Sequence, residues 1–128
     1  MSKFHQDVTF PASPAKVYAA LMDSTQHAAF TGEPADIGQA AGDAFSAYGG
    51  KVHGVNIELV PGKRIVQVWR AGNWAEGVFS LIRFELSGEG NETKLSFDHD
   101  AIPEVGGEHL EQGWKNMYWD KLTAYLGS

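Results

Sequence analysis

The sequence predicts one α+β domain in which helices lie before and after a largely antiparallel sheet. Two observations carry this prediction. Short apolar runs separated by tight turns fill residues 44–100, which is typical of an antiparallel meander. A stretch with the apolar period of a helix follows at residues 108–126. At 128 residues, the chain (1–128) fits a single domain with a single core.

The N-terminal segment contains one strand and two short helices. Apolar and polar residues alternate over residues 3–10, which indicates a half-buried strand. Ser13 precedes a proline, a combination that favours a helix start and predicts a helix over residues 14–23. Asp23, with a glutamine three positions later, predicts a second helix that ends near Phe30.

Five further strands are predicted after a loop rich in glycine, proline and alanine at residues 31–42. Gly49-Gly50 and Pro61-Gly62 are turn signals between them. With the first strand this makes about six strands. The five cover residues 44–48, 51–60, 63–70, 76–86 (the longest) and 93–100.

The last helix carries unusually bulky side chains on its apolar side. Glu108 to Leu126 would span roughly 28 Å, enough to cross a small sheet. A long aromatic helix held by a curved sheet often leaves a cavity between them. The residues that recur at helical spacing are Leu110, Trp114, Met117, Lys121 and Tyr125, with Tyr118 and Leu122 alongside.

Strand alternation predicts which side chains face this helix. Phe79 and Leu81 fall on the outer face, where a homodimer contact or a folded loop would cover them. The strand at residues 63–70 is assigned to neither face. Predicted to point inward are His53, Val55, Ile57 and Leu59; Val78, Ser80, Ile82, Phe84 and Leu86; and Leu95, Phe97 and His99.

Composition and charge exclude several functional classes. The net charge is -6 and the basic residues are dispersed, so nucleic-acid binding is not expected. The chain has no cysteine, which excludes disulfides and thiolate catalysis. No apolar stretch approaches a membrane span, and the N-terminus lacks the apolar region of a signal peptide. A soluble cytoplasmic protein is expected.

Two residues are candidates for chemistry. His99 is the last inward-facing residue of its predicted strand. It is either a rim histidine that is hydrogen-bonded to backbone or water, or a group that orients a ligand at the mouth of a cavity. Glu76 could be a buried general base. None of the five histidines has metal-ligand spacing, and three strand ladders would separate His53 from His99 by roughly 14 Å. No metal and no cofactor are predicted.

A set of short motifs, taken together in order, resembles a known family. The set resembles the C-terminal domain of the activator of heat-shock protein 90 ATPase and its single-domain relatives, which belong to the START-like, birch-pollen-allergen-like helix-grip superfamily. The resemblance is strongest over residues 42–126, and it implies a curved antiparallel sheet wrapped round the C-terminal helix. The motifs are Gly42 to Gly54, Glu58 to Val66, Trp69-Arg70, Trp74, Glu76-Gly77, Thr93 to Leu95, His99, Ile102-Pro103 and Gly113-Trp114.

Three functions are open at this point. The leading hypothesis is a non-enzymatic module that holds a small or medium apolar ligand between the sheet and the C-terminal helix. Its expected lining is Tyr48, Val55, Ile57, Phe84, Phe97, His99, Trp114 and Tyr118. The first alternative is a co-chaperone-type module whose partner is the heat-shock chaperone, with weak activation because the extra N-terminal domain of two-domain activators is not expected. The second is a cofactor-free cyclase or hydrolase that uses His99 or Glu76.

Overall fold

A seven-stranded antiparallel sheet is the framework of the computed structural model of this chain, which describes residues 2–105, 107 and 109–127. In chain order the elements are β1 (Ser2–Phe10), α1 (Pro14–Met22), α2 (Ser24–Thr31), β2 (Asp36–Ile37), β3 (Ala44–Ala47), a 3-10 turn (Tyr48–Gly50), β4 (Val52–Val60), β5 (Arg64–Ala71), β6 (Ser80–Ser87), β7 (Thr93–Ile102), α3 (Leu110–Trp114), a π-helical segment (Lys115–Trp119) and α4 (Asp120–Leu126).

The strands follow the order β1-β7-β6-β5-β4-β3-β2. The α+β prediction and the meander from β3 to β7 are confirmed. The additional strand is β2, which pairs Asp36 with Ser46 inside the segment predicted to be a loop. Three ladders separate β4, which carries His53, from β7, which carries His99, as the sequence predicts.

Local capping interactions determine where the two short helices begin and where α2 ends. The Ser13 hydroxyl accepts a hydrogen bond from the backbone N–H of Lys16, and the Asp23 carboxylate accepts one from that of Gln26. Each bond satisfies an N–H that the first helical turn leaves free. Gly32 ends α2 with a φ of 82°, a left-handed conformation that glycine adopts at no steric cost.

The C-terminal helix, residues 110–126, consists of α3, the π-helical segment and α4. Its predicted start at Glu108 lies outside the described residues. The π-helical turn contains one more residue than an α-helical turn, so the buried residues depart from a regular 3.6-residue pattern. Met117, predicted to be buried, is 41% exposed, whereas Trp119 is buried. The buried side chains of this helix are Trp114, Tyr118, Trp119 and Leu122.

The face predicted for β4 is wrong for the residues before its bulge and correct for Leu59, which packs against the core. Gly54 and Asn56 point to the buried side, and Val55 and Ile57 lie on the opposite face, with Ile57 50% exposed. A bulge between Asn56 and Glu58 shifts the alternation by one residue. His53 shares the face of Val55 and is therefore not an inward residue either. The buried Asn56 is tolerated because its amide donates to backbone carbonyls of the preceding loop.

The start predicted for β6 is also wrong. Residues 72–79 form a loop, β6 begins at Ser80, and β7 is the longest strand, with ten residues. The buried Arg70 guanidinium organises the loop by donating hydrogen bonds to the carbonyls of Trp74, Ala75 and Val78. The prediction that Ser80, Ile82, Phe84 and Leu86 point inward is confirmed by their burial.

Candidate functional site

The space between the sheet and the C-terminal helix is filled with aromatic side chains. Trp114 lies at its centre, with ring centroids 4.4 Å from Phe97, 4.5 Å from Tyr118 and 5.5 Å from Trp119. The cavity left among the packed rings has a volume of about 20 Å³. A cavity needs about 10–15 Å³ to hold one water molecule, so this form has room for about one water.

The predicted lining residues divide into two groups. Six are buried between the sheet and the helix, namely Tyr48, Phe84, Phe97, His99, Trp114 and Tyr118. Val55 and Ile57 lie on the outer face and cannot line this space. Sequence reasoning missed Trp69, His27 and Trp119. Trp69 is on a strand without a clear alternation, His27 is on a helix with a weak apolar face, and Trp119 is turned inward by the π-helical segment.

His99 is fully buried and is therefore not a rim residue. The Trp114 indole Nε1 donates to His99 Nδ1 at 3.0 Å. Since an indole nitrogen only donates, Nδ1 is unprotonated and the ring hydrogen is on Nε2. That Nε2–H faces the Ser80 hydroxyl at 2.7 Å, and Ser80 in turn donates to the Trp69 carbonyl at 3.1 Å. Burial lowers the pKa of His99 to about 3, so the ring is neutral at physiological pH.

This direction of donation argues against a catalytic Ser–His pair. A histidine that activates a serine must accept the serine proton, whereas here His99 donates to Ser80. The hydroxyl proton is directed at a main-chain carbonyl. The other candidate base, Glu76, is exposed in the loop before β6 and is not a buried carboxyl. Within the described ranges, no group of three His, Asp or Glu side chains could hold a metal ion.

A second buried polar cluster joins α2 and the end of β3 to the C-terminal helix. His27 Nε2 and the Tyr118 hydroxyl share a hydrogen bond of 3.0 Å, and the Tyr48 hydroxyl donates to the Met117 carbonyl in the π-helical segment. Burial lowers the pKa of His27 to about 4 and raises the pKa of Tyr48 to about 12. Burial also raises the pKa of Tyr118. All three side chains are therefore neutral near pH 7, and they hold the helix through hydrogen bonds and ring packing without ion pairs.

The outer face of the sheet carries an apolar stripe. Val55 pairs with Val68, and Val68 pairs with Leu81, so the three side chains are cross-strand neighbours. We call these three residues the outer stripe. Leu81 is 38% exposed and Phe79, just before β6, is 43% exposed, which confirms their predicted outward orientation. The outer stripe thus exposes apolar surface across three adjacent strands, β4, β5 and β6.

Ion pairs flank the outer stripe. Arg64 lies 3.1 Å from Glu58 and 3.4 Å from Glu85, and Arg83 lies 3.0 Å from Asp98. All of these side chains are partly exposed, and exposed pairs contribute little to stability, at most about 1 kcal/mol each. Their charges remain accessible at the rim of an apolar surface.

Comparisons with known proteins identify a family whose profile matches most of this chain. The sequence profile of the family described as "Activator of Hsp90 ATPase homolog 1-like protein" matches residues 11–127. A Dictyostelium discoideum protein named "Activator of 90 kDa heat shock protein ATPase homolog" is 35% identical over 114 residues, which cover 88% of this chain and 30% of that protein. The human protein named "Activator of 90 kDa heat shock protein ATPase homolog 1" is 33% identical over 119 residues, which cover 93% of this chain and 35% of that protein. The chain thus spans about a third of the length of these relatives.

Solved structures share the fold. A crystal structure described as an HSP90 activator from Plasmodium falciparum superposes with a TM-score of 0.90 at 25% identity, over 99% of this chain and 97% of that one. A solution structure described as the Aha1 dimer from Colwellia psychrerythraea has a TM-score of 0.81 at 23% identity, over 98% and 96% of the two chains. In the described part of this chain, no helix is long and apolar enough to span a membrane.

Proposed function

We propose that this chain, which belongs to the activator of Hsp90 ATPase homolog 1-like family, is a module that binds a heat-shock protein 90 chaperone through its surface. The observation that carries the proposal is the filling of the interior. Because the interior cavity measures only about 20 Å³, a binding partner of the described form contacts its surface and does not enter its core.

The identity of the partner is supported by the names of the relatives. The Dictyostelium and human proteins are named as activators of the 90 kDa heat-shock protein ATPase, and the matched region covers 30% and 35% of their lengths. Stimulation of ATP turnover is a separate expectation. When two linked modules act together, one contact alone loses the gain in effective concentration, often by about 10² or more. For residues 1–128 tested by themselves, which match 30–35% of the length of these relatives, we expect measurable binding with weak stimulation.

The outer face of the sheet is the contact surface we propose. Protein interfaces combine an apolar centre with a polar rim in which arginine is enriched. The outer stripe supplies the apolar centre, and Arg64 and Arg83 with their acidic partners supply the rim. Leu81 is at the end of the stripe that lies nearest Arg83 and Asp98, so it is the residue whose alteration tests the surface most directly.

The ligand-binding hypothesis remains a prediction and ranks second. Ligand pockets usually measure about 300–1,000 Å³, far more than the cavity in this form. A ligand would require the C-terminal helix to move away from the sheet and to break the Trp114–His99 hydrogen bond. Copurification of a lipophilic compound in native mass spectrometry would promote this hypothesis to first.

A titration of the purified chain into heat-shock protein 90 tests the proposal. Leu81→Glu places a charge on the outer stripe, and Met117→Glu is its matched control, because Met117 is similarly exposed but lies on the C-terminal helix. Calorimetry should show binding by the wild type, a Kd raised about tenfold or more by Leu81→Glu, and a Kd changed less than about twofold by Met117→Glu.

Two results would contradict the proposal in different ways. If the wild type does not bind at about 100 μM chaperone, the proposed partner is wrong. If the wild type binds but Leu81→Glu leaves the Kd unchanged, the partner stands and the proposed surface is wrong. ATP turnover is followed in the same titration, so that binding and stimulation are scored separately.

A further inference from the structure

The two edges of the sheet differ in how much backbone they leave unpaired. The edge strands are β1 and β2, since the sheet order is β1-β7-β6-β5-β4-β3-β2. β2 has two residues, whereas β1 has nine. Within the residues that the structure describes, β1 pairs with β7 alone. Alternate residues of a strand direct their N–H and C=O groups to opposite sides, so about half of these groups on β1 face away from the sheet.

A long unpaired strand edge is a template for another strand. Proteins usually protect such edges by making the strand very short or by placing charges that repel a neighbour. The two-residue β2 is protected by its length. On β1 the exposed outer side chains include Lys3, His5 and Asp7, which alternate along the strand and differ in sign. Charges of both signs attract or repel a second strand according to the register in which it pairs.

His5 is a cation in this arrangement. Its Nδ1 lies 2.8 Å from Asp98 Oδ1, and its Nε2 lies 2.9 Å from Asp7 Oδ1. A carboxylate only accepts hydrogen bonds, so both ring nitrogens donate, which requires the protonated imidazolium. The hydrogen bonds to Asp98 and then to Asp7 raise the pKa of His5 accordingly. The ring is therefore a positive charge held between two negative charges at the sheet edge.

His5 belongs to a row of alternating charges that crosses the outer face of the sheet. From Asp98 the row continues to Arg83 at 3.0 Å, and Arg83 lies 3.7 Å from Glu85. At the edge strand the row ends with Asp7, whose side chain is 76% exposed. In the described part of the chain, Asp7 forms an ion pair with His5 alone. The next position along the row, beyond the edge of the sheet, is thus one that favours a cation.

A second copy of β1 supplies a cation at that position. Two antiparallel copies overlap over all nine residues only when the pairing is centred on Gln6, the middle residue of the strand. In this register His5 lies opposite Asp7 of the second copy, and Asp7 lies opposite its His5. Opposite side chains have Cβ atoms about 4.5–5.5 Å apart, close enough for an ion pair. On the inner face, Phe4 lies opposite Val8, and both are partly buried apolar residues.

We propose that β1 is a dimerisation strand, which pairs antiparallel with β1 of a second copy of this chain in the register that places His5 opposite Asp7. The contact is isologous, with its two-fold axis at Gln6, as expected for a closed homodimer. Two His5 and two Asp7 side chains then form a ring of alternating charge, and the two sheets become one continuous sheet. The proposal is independent of the chaperone contact, because the outer stripe lies on β4, β5 and β6.

Disulfide trapping tests the register. The chain has no cysteine, so single cysteines can be introduced without background. Lys3→Cys and Thr9→Cys lie opposite each other in the proposed pairing, and both variants keep His5 and Asp7. Like positions lie about 20 Å apart in that pairing, at about 3.4 Å per residue, far beyond the reach of a disulfide. When the two variants are mixed and mildly oxidised, the mixed dimer should exceed either like dimer at least about tenfold.

Two results of this trapping would overturn the proposal. One is the absence of any disulfide dimer. The other is a statistical mixture of mixed and like dimers, which would indicate random collisions and not one register.

Sedimentation equilibrium at low ionic strength tests the role of the charges. We expect the wild-type chain to dimerise and Asp7→Lys to raise the dimer Kd about tenfold or more, because each dimer contains two of the altered contacts. Asp36→Lys is the matched control, since it makes the same change on the exposed side chain of the other edge strand, and it should change the Kd less than about twofold. A wild-type chain that stays monomeric up to about 1 mM would overturn the proposal, and so would equal effects of the two substitutions.

Discussion

The Trp114 indole Nε1 donates a hydrogen bond to His99 Nδ1 at 3.0 Å, joining the C-terminal helix to β7, which lies next to the edge strand β1. The bond continues through His99 Nε2 to Ser80 on β6 and from Ser80 to the Trp69 carbonyl on β5. One helical residue is thus connected to three adjacent strands. This series of hydrogen bonds, together with apolar packing, fixes the position of the helix.

Trp114→Ala should destabilise the fold severely. The side chain is 3% exposed, and truncation of a buried tryptophan or phenylalanine typically costs about 3–5 kcal/mol. Chemical denaturation measures the free energy of unfolding. Met117→Ala is the control on the same helix, where the half-exposed side chain should change stability by about 0.5 kcal/mol or less. Equal effects of the two substitutions would show that Trp114 is not an anchor of the core.

Trp114→Phe separates the hydrogen bond from the packing. Phenylalanine keeps an aromatic ring but leaves His99 Nδ1 without its donor, a loss we expect to cost about 1–3 kcal/mol in addition to the change in volume. His99→Phe in the same background removes the unpaired acceptor. A double-mutant cycle should therefore give a coupling energy between the two sites. Additive effects would contradict the proposed role of the bond.

Stability should fall in mild acid because two histidines are buried in the neutral form. Burial lowers the pKa of His99 to about 3 and that of His27 to about 4, from an ordinary value of 6.5. Below pH about 6.5 the unfolded chain binds more protons than the folded chain, so stability is full above that pH. It decreases as the pH falls toward 4, by up to about 1.4 kcal/mol per pH unit for each histidine.

Urea denaturation at a series of pH values measures how the free energy of unfolding changes with pH. His27→Gln should remove about half of the pH dependence of stability, because it removes one of the two buried neutral rings. His5 acts in the opposite direction, since the hydrogen bonds that its ring donates to Asp98 and then to Asp7 raise its pKa, but this histidine is on the surface. A stability independent of pH between 6.5 and 4 would contradict the burial of the two neutral rings.

The same substitution at two glycines should have opposite effects. A Cβ at Gly54 would lie 1.9 Å from the Val68 carbonyl oxygen and 2.8 Å from Phe45, so Gly54→Ala should destabilise by at least about 1–3 kcal/mol. A Cβ at Gly113, inside α3, meets no described atom within 4 Å. Gly113→Ala should stabilise by about 0.5–1 kcal/mol through helix propensity. Thermal unfolding of both variants gives the sign of each change in stability. A stability increase in Gly54→Ala would contradict the inward orientation of Gly54.

Tyr48→Phe tests the contact with the π-helical segment. It removes the hydroxyl that donates to the Met117 carbonyl and should cost about 1 kcal/mol. Tyr18→Phe, on a half-buried tyrosine of α1 away from this contact, is the matched control and should cost less. Amide exchange in the π-helical segment should rise in Tyr48→Phe alone. Unchanged exchange would show that the segment does not depend on this bond.

Regular patterns predicted most of the elements correctly. Ser13 and Asp23 identified the starts of α1 and α2, because side-chain caps act on the next few backbone N–H groups. Clean alternation placed Leu95, Phe97 and His99 on the buried face of β7, since side chains of a strand point to opposite sides in turn. These effects are local, so the sequence alone contains them.

Two single-residue irregularities caused the main errors. The bulge between Asn56 and Glu58 changes the alternation within β4, so Leu59 packs against the core as predicted whereas apolar Val55 is outside and polar Asn56 is inside. The π-helical segment turned Trp119 inward and Met117 outward. Each inserts one residue into a regular period, and pattern reading assumes that the period is constant.

The sequence by itself determined the order of the strands and helices, the antiparallel meander and most of the aromatic residues of the core, because propensity, capping and period act between near neighbours. Only the tertiary structure decided which way Asn56 and Trp119 point, since that depends on partners brought together from distant parts of the chain, such as Gln67 and Gln6. It also decided the size of the cavity. The cavity volume is the small difference between the volume enclosed by the sheet and helices and the volume of the side chains that fill it. Here the rings around Trp114 leave about 20 Å³.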